Sequence, residues 1–337
     1  MEYLDGLLEK LTSATGVGYT GDIAEIIIAE LKQLDINAEK SQDGSVYAFL
    51  PGSENRDVMI ACHIDEIGFI VNSIGDNGFV RFSQVGGCDI RILIGQEVAI
   101  HGRETVPGYI GAKPPHLMTQ EERTKVFPIH ELFIDTGMPA AKLTGIVRIG
   151  DIITFRGQYR KLQNNLRSAK SLDNRASVAA GILALNELKA LRCKANIHFV
   201  ATSQEEFTGL GAKVFSNKLS INQAVVVDVT FGDQPDLLES ECFPLDSGPV
   251  IGRGGSISYK LFRMMVDTAK ELEMPYQVEP MPTITGTDAD IIAFNKQGIP
   301  CGVIGIPLRY MHTPAEVVSL KDIERTARLL VSYVKKL

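Results

Sequence analysis

The sequence predicts an α/β fold interrupted by a small all-β unit, and three observations lead to it. Before residue 67 and after residue 163, strand-length apolar runs alternate with segments of helical periodicity. Between residues 68 and 162 helical periodicity nearly vanishes. Short β-rich runs follow one another there, punctuated by Gly and Asp, as in a small barrel or sandwich. At 337 residues the chain is also long for one domain. The expected division is residues 1–67 plus 163–337 as an α/β domain, with 68–162 inserted as a β-rich domain.

The elements follow in order. Met1-Glu2-Tyr3-Leu4-Asp5 is acidic and helix-like, with neither the basic nor the apolar region of a signal peptide, so none is expected. Residues 23–34 carry a helical pattern, and 45–50 and 58–62 read as strands. The β-rich runs are 68–73, 78–82, 96–101, 106–111, 131–134 and 152–155. Such short strands are expected to leave sheet edges that need covering. Thereafter the sequence predicts helix 176–191, strand 196–202, helix 209–215 and strand 223–229. Helices 258–272 and 288–295, strand 301–304 and a last helix 320–336 complete the chain.

Composition narrows the function classes. Apolar residues make up 45% and charged residues 22%, the balance of a globular enzyme. The formal charge of −7 argues against nucleic acid or an anionic membrane as partner. No apolar stretch reaches the roughly 18 residues of a membrane span. Cys62, Cys88, Cys193, Cys242 and Cys301 show no paired spacing, and free thiols in a reducing cytoplasm are expected.

Metal-ligand residue types stand at the ends of apolar runs. In chain order they are His63, Asp173, the pair Glu205-Glu206, Asp228 and His312. Any one of them alone reads as a cap, a turn residue or a structural imidazole. Together they predict a metal centre at the carboxyl ends of the strands, where open α/β sheets hold ligands. Zinc-like cations take imidazole and carboxylate donors, two-metal hydrolases need a bridging carboxylate, and a spare carboxylate can act as general base. In His63-Ile64-Asp65 the first and third side chains of an extended segment point the same way. Asp65 is thereby expected to accept the second N–H of the His63 imidazole. Glu205 and Glu206, being adjacent, should diverge, one toward a metal and the other toward its water. They are poorly placed as the opposed carboxylates of a glycosidase.

Several stretches together resemble the tetrahedral aminopeptidase family, the glutamyl, leucyl and deblocking aminopeptidases. They are His63-Ile64-Asp65-Glu66-Ile67-Gly68, Gly111-Ala112-Lys113-Pro114-Pro115-His116, Leu172-Asp173-Asn174-Arg175, Gln204-Glu205-Glu206, Asp228-Val229-Thr230, Thr285-Gly286-Thr287-Asp288-Ala289 and Arg309-Tyr310-Met311-His312. The resemblance spans essentially the whole chain. It implies a mixed-sheet α/β catalytic domain of the zinc-exopeptidase type with an inserted small β-barrel, PDZ-like domain. It also implies two divalent ions per subunit, zinc or cobalt. Asp173 would bridge them, His63 and Asp228 would complete one, and Glu206 and His312 the other. Glu205 would be the general base and Asp65 the partner of His63. Thr287 and Asp288 are expected to line the substrate site, and Arg309 to orient substrate or a carboxylate behind the metals. Asn174 stands where many relatives carry Asp.

The resemblance further implies removal of N-terminal residues from short peptides, and dimers that build a hollow dodecamer. Some relatives carry the names cellulase M or endoglucanase, which makes a glycoside hydrolase the alternative. The absence of Trp argues against a sugar-stacking cleft. A catalytically silent binding or assembly protein would require a lost ligand or base, and none is lost. His101, His116, His130 and His198 are expected to be structural or exposed, and Arg253 to be a loop residue rather than a counter-charge for an acidic substrate.

Overall fold

The computed structural model describes residues 1–191 and 193–337. Among the described residues the larger sheet has eleven strands. Its main path runs Ala38–Lys40, Val46–Leu50, Asn196–Thr202, Asp57–His63, Gln223–Phe231, Cys301–Arg309, Glu316–Ser319, Leu166–Ala169, Arg160–Lys161. Val250–Gly254 and Gln277–Met281 extend it to one side of Cys301–Arg309. The four central strands are parallel and the flanking ones antiparallel, so the sheet is mixed.

The sequence of Asp57–His63 shows why the centre is buried on both faces. Val58, Ile60 and Cys62 pack in one apolar layer with Ala180 and Ile182 of the helix Leu172–Leu191. Met59 and Ala61 pack in the layer on the other side with Phe215 and Ile292. A strand covered on both faces reads as a continuous apolar run rather than an alternation. Leu172–Leu191 packs against the sheet and against the helices Glu2–Ser13 and Leu320–Val334. It approaches the sheet so closely at Gly181 that a Cβ there would stand 2.5 Å from the Phe199 ring.

The smaller sheet is a closed antiparallel barrel: Gly68–Ile74, Val80–Val85, Phe133–Asp135, Thr105–Gly111, Glu97–His101, Ile152–Phe155, and back to the first. Phe69 fills its centre edge-on to Phe82 and Phe155, with ring centroids 5.1 and 5.2 Å away, a favoured aromatic geometry. Closure corrects the expectation of uncovered edges, because a barrel has none. What the barrel does expose is apolar side chain: Tyr109, Leu117, Val126 and Ile149.

Most predicted elements appear with shifted ends. The strand expected at 301–304 continues to Arg309, its length masked in the sequence by Gly302, Gly305 and Pro307. The run 131–134 divides into a 3-10 turn, Ile129–Glu131, and a strand, Phe133–Asp135. Leu166–Ala169, Val250–Gly254, Gln277–Met281 and Glu316–Ser319 were not expected from the sequence. All five cysteines are free, and no described helix is long and apolar enough to cross a membrane.

Candidate metal centre

Parallel strands in register deliver the acids and imidazoles to one place. His63 ends its strand directly beside Thr202. After Thr202 the chain turns through Gln204, whose φ is +62°, into Glu205 and Glu206. Asp228 lies on the next strand, opposite Gly305. Asp173 stands at the mouth of Leu172–Leu191, where it and Asn174 leave helical geometry. His312 follows Cys301–Arg309 in a left-handed conformation, φ +62°.

The convergence is tight. One oxygen of Asp173 lies 3.0 Å from His63 Nε2, and its other oxygen lies 3.3 Å from His312 Nε2. His63 Nε2 is also 3.7 Å from Asp228 Oδ1 and 3.9 Å from Glu205 Oε2. Glu206 Oε2 lies 3.4 Å from His312 Nε2. Donor atoms of His63, Asp173 and Glu206 all fall within 4.8 Å of one another. The carboxylates of Glu205 and Glu206 therefore diverge, one toward His63 and one toward His312.

Two further carboxylates fix the loops that carry these groups. Asp65 accepts the backbone N–H of Glu205 at 3.0 Å and that of Glu206 at 3.2 Å. The His63 Nδ1 lies 3.2 Å from the Asp65 carbonyl and 3.5 Å from its carboxylate. Glu316 does the same on the opposite side, accepting the N–H of Asp173 at 3.0 Å and of His312 at 2.9 Å. Sequence reasoning missed Glu316. The available signal was an acid four residues after a candidate ligand, followed directly by two valines. The barrel also reaches the site: a Cβ on Gly87 would stand 3.3 Å from His312 Nδ1.

The electrostatics follow from burial. Burial would lower both imidazoles, but Asp173 and Asp65 outweigh it at His63, and Asp173 outweighs it at His312, so both are raised. Burial would raise Asp173, but the imidazoles on its two oxygens hold it below the ordinary carboxylate value. Burial pushes Glu205 up to about 7, opposed by His63 and assisted by Asp288 and Asp173. Glu206 and Asp228 are driven well above the usual range, chiefly by burial. Carboxylates outnumber imidazoles in a place with little solvent, a charge surplus that divalent cations offset. The imidazole and carboxylate donor set suits zinc or cobalt.

A cleft of about 520 Å³ opens on these residues. Thr287 lines it, and its hydroxyl accepts the Ala289 N–H to start the short helix Asp288–Ala293. Asp288 lies beneath the cleft, buried, with its carboxylate accepting from the Thr202 hydroxyl; burial pushes it up to about 6. Of its two expected partners, substrate or a carboxylate, Arg309 meets a carboxylate. It does not line the cleft, because its guanidinium is held by the Asp233 carbonyl and carboxylate. Asn174 donates its amide to the Val227 carbonyl at 3.0 Å, which an ionised Asp could not do. His198 bonds Tyr47 and Asp57, His101 bonds Thr154, and His116 and His130 are exposed. Arg253 lies over the Tyr259 ring, 4.8 Å from its centroid.

Residues 44–329 match the family model described as M42 glutamyl aminopeptidase. A lysyl aminopeptidase of Pyrococcus furiosus is 32% identical, over 98% of this chain and 96% of its own length. Among solved structures, a TET aminopeptidase from the marine sediment archaeon Thaumarchaeota archaeon SCGC AB-539-E09 superposes with a TM-score of 0.94. It is 28% identical and covers 100% of this chain and 97% of that one. The TET1 peptidase of Pyrococcus horikoshii, described as assembling into a tetrahedron or a large octahedral shell, gives 0.87 at 27% identity. That match covers 99% of this chain and 100% of the other. With its mixed sheet, its inserted barrel and a family match across most of its length, the chain belongs to the M42 glutamyl aminopeptidase family and is an aminopeptidase, a hydrolase of peptide bonds.

Proposed function

We propose that the chain removes N-terminal residues from short peptides with the help of two divalent ions, zinc or cobalt, held by His63, Asp173, Glu206, Asp228 and His312. The observation that carries this reading is the Asp173 carboxylate, whose two oxygens face two different imidazoles at 3.0 and 3.3 Å. A carboxylate so shared supports a bridge, with His63 and Asp228 on one side and His312 and Glu206 on the other.

When bound, such ions supply a nucleophilic water at neutral pH and polarise the scissile carbonyl. The chain's own residues do the rest. Glu205, raised to about 7 by burial, takes the proton of the attacking water and returns it to the leaving amine. Asp65 holds Glu205 and Glu206 by their backbone N–H groups, which separates the two carboxylates into different tasks. Glu316 fixes Asp173 relative to His312. Thr287 contributes to the substrate wall from the cleft side, while Asp288 supports it from beneath.

Residues 163–337 with 1–67 form the catalytic domain in this reading, and 68–162 the assembly domain. The exposed Tyr109, Leu117, Val126 and Ile149 of the barrel support a contact surface, and the assembling relative supports a dimer that builds a dodecamer. Free cysteines suit a cytoplasmic setting. The test is metal analysis and light scattering on protein reloaded with zinc or cobalt, together with hydrolysis of short peptides. Two equivalents per chain, a large closed particle and cleavage confined to free amino termini are expected. Fewer than one equivalent would refute the dinuclear reading, a loaded monomer the assembly, and internal cleavage of an N-acetylated peptide the exopeptidase specificity.

A further inference from the structure

We propose that the site selects peptides beginning with lysine or arginine, and that the Glu279 carboxylate in the cleft wall makes the selection. The inference rests on the aminopeptidase reading of the same cleft.

Glu279 sits on Gln277–Met281, a strand the sequence did not reveal, and it lines the cleft that holds His63, Asp173 and His312. Its Oε2 is buried and has no hydrogen-bond partner among the described residues. No ion pair involves it among those residues either. Burial raises the carboxyl, with only the Thr230 hydroxyl opposing. A carboxylate in a cavity wall with no cation beside it is costly, and a cation delivered by the substrate relieves that cost.

The rest of the cleft agrees with a cationic guest. No lysine or arginine lines it. Arg253, whose strand neighbours that of Glu279, is stacked on Tyr259 and donates to the Gly254 carbonyl. A second acid, Asp290, also lines the cleft, its oxygens occupied by the N–H groups of Thr285 and Gly286. An acidic side chain entering here would meet two carboxylates and no basic side chain to offset them. Met281, Ile291 and Val303 provide apolar wall along which the aliphatic stem of a lysine or arginine can lie, its charged end reaching a carboxylate. An apolar side chain would fill the same wall and leave Glu279 unpaired.

The experiment compares the zinc- or cobalt-loaded enzyme with Glu279→Gln on aminoacyl-anilides that differ only in the amino acid: Lys, Arg, Leu and Glu. The unsubstituted enzyme should show its highest kcat/KM on Lys and Arg and its lowest on Glu. Glu279→Gln should lose about tenfold or more on Lys and Arg, the usual scale for one charge-assisted hydrogen bond, and hold its rate on Leu. Retained Leu hydrolysis also shows that the variant is folded and loaded. A preference for Leu or Glu in the unsubstituted enzyme overturns the inference and leaves the aminopeptidase reading standing. An equal loss on all four substrates also overturns it, because Glu279 would then serve the α-ammonium common to them. Failure of the loaded enzyme to cleave any anilide or short peptide would defeat the aminopeptidase reading itself, and the inference with it.

Discussion

Substitution of Glu66 by Gln should cost several kcal/mol of stability, and the amount can be argued from its surroundings. Glu66 is 3% exposed and accepts from Lys170 Nζ at 2.7 Å and from the Gly16 N–H at 3.0 Å. Arg175, fully buried, brings a guanidinium nitrogen to 4.0 Å, and two of its nitrogens have no other partner. Glu66→Gln removes the one carboxylate that, among the described residues, lies within ion-pair distance of both cations. Breaking a buried pair from one side typically costs about 3–5 kcal/mol. Lys170 can limit the loss by releasing its proton. At pH 7 that costs about 4.6 kcal/mol, from 1.36 kcal/mol per unit over the distance to an unfolded pKa of about 10.4. The two routes agree on about 3–5 kcal/mol. They also set a pH dependence. With its folded pKa depressed, Lys170 binds fewer protons folded than unfolded, so stability rises with pH up to about 10. The deficit of the variant should therefore narrow between pH 7 and 9.5. Urea midpoints at fixed protein concentration at both pH values would measure it. Adding Lys170→Met should recover part of the loss. A deficit below about 1 kcal/mol, or one that widens with pH, would refute the reasoning.

Other outcomes follow from the same geometry. Glu205→Gln should keep bound metal and lose roughly 10²–10⁴-fold in turnover, and near-normal activity would move the base elsewhere. Asp173→Ala should abolish loading of both ions, whereas Glu206→Gln should weaken one; equilibrium dialysis with zinc distinguishes them. Asp5 is held below its ordinary pKa by Arg167, with Lys161 and Tyr159 assisting against burial. Its contribution is thus complete above about pH 4–5 and lost as pH falls below the unfolded value near 3.9. Asp5→Asn should cost about 2 kcal/mol at pH 7, with the difference from the unsubstituted protein shrinking below pH 4 in urea melts.

The central strands were legible in the sequence because burial on both faces leaves no polar position to confuse the pattern, as Val58 to Cys62 shows. Ligand types at the ends of such runs were legible for the same reason. The outer strands were not: Gln277–Met281 carries Glu and Pro and alternates in burial, and Glu316–Ser319 is too short to display a period. Residues that act through backbone groups were harder still. Asp65 drew notice because it stands two residues from an imidazole, but its hold on the Glu205 and Glu206 N–H groups was not legible; Glu316 lies 143 residues from Asp173, and only folding brings the two together. The place of Arg309 was likewise undetermined, since its partner Asp233 lies 76 residues away. Apolar residues on the barrel surface, such as Tyr109 and Ile149, carried no signal that distinguished them from barrel core.

Gly87 gives the barrel a stake in the chemistry. Its loop belongs to the barrel side of the chain, yet it lies so close to the His312 ring that a methyl group would crowd it. The two parts of the protein consequently meet at a point where a change in one is felt by the other. A barrel grafted from elsewhere would have to present the same bare backbone at the same spot, or make the His312 ring give by a few tenths of an ångström. Change in the insert is thereby felt at His312 through the smallest side chain there is, a hydrogen atom.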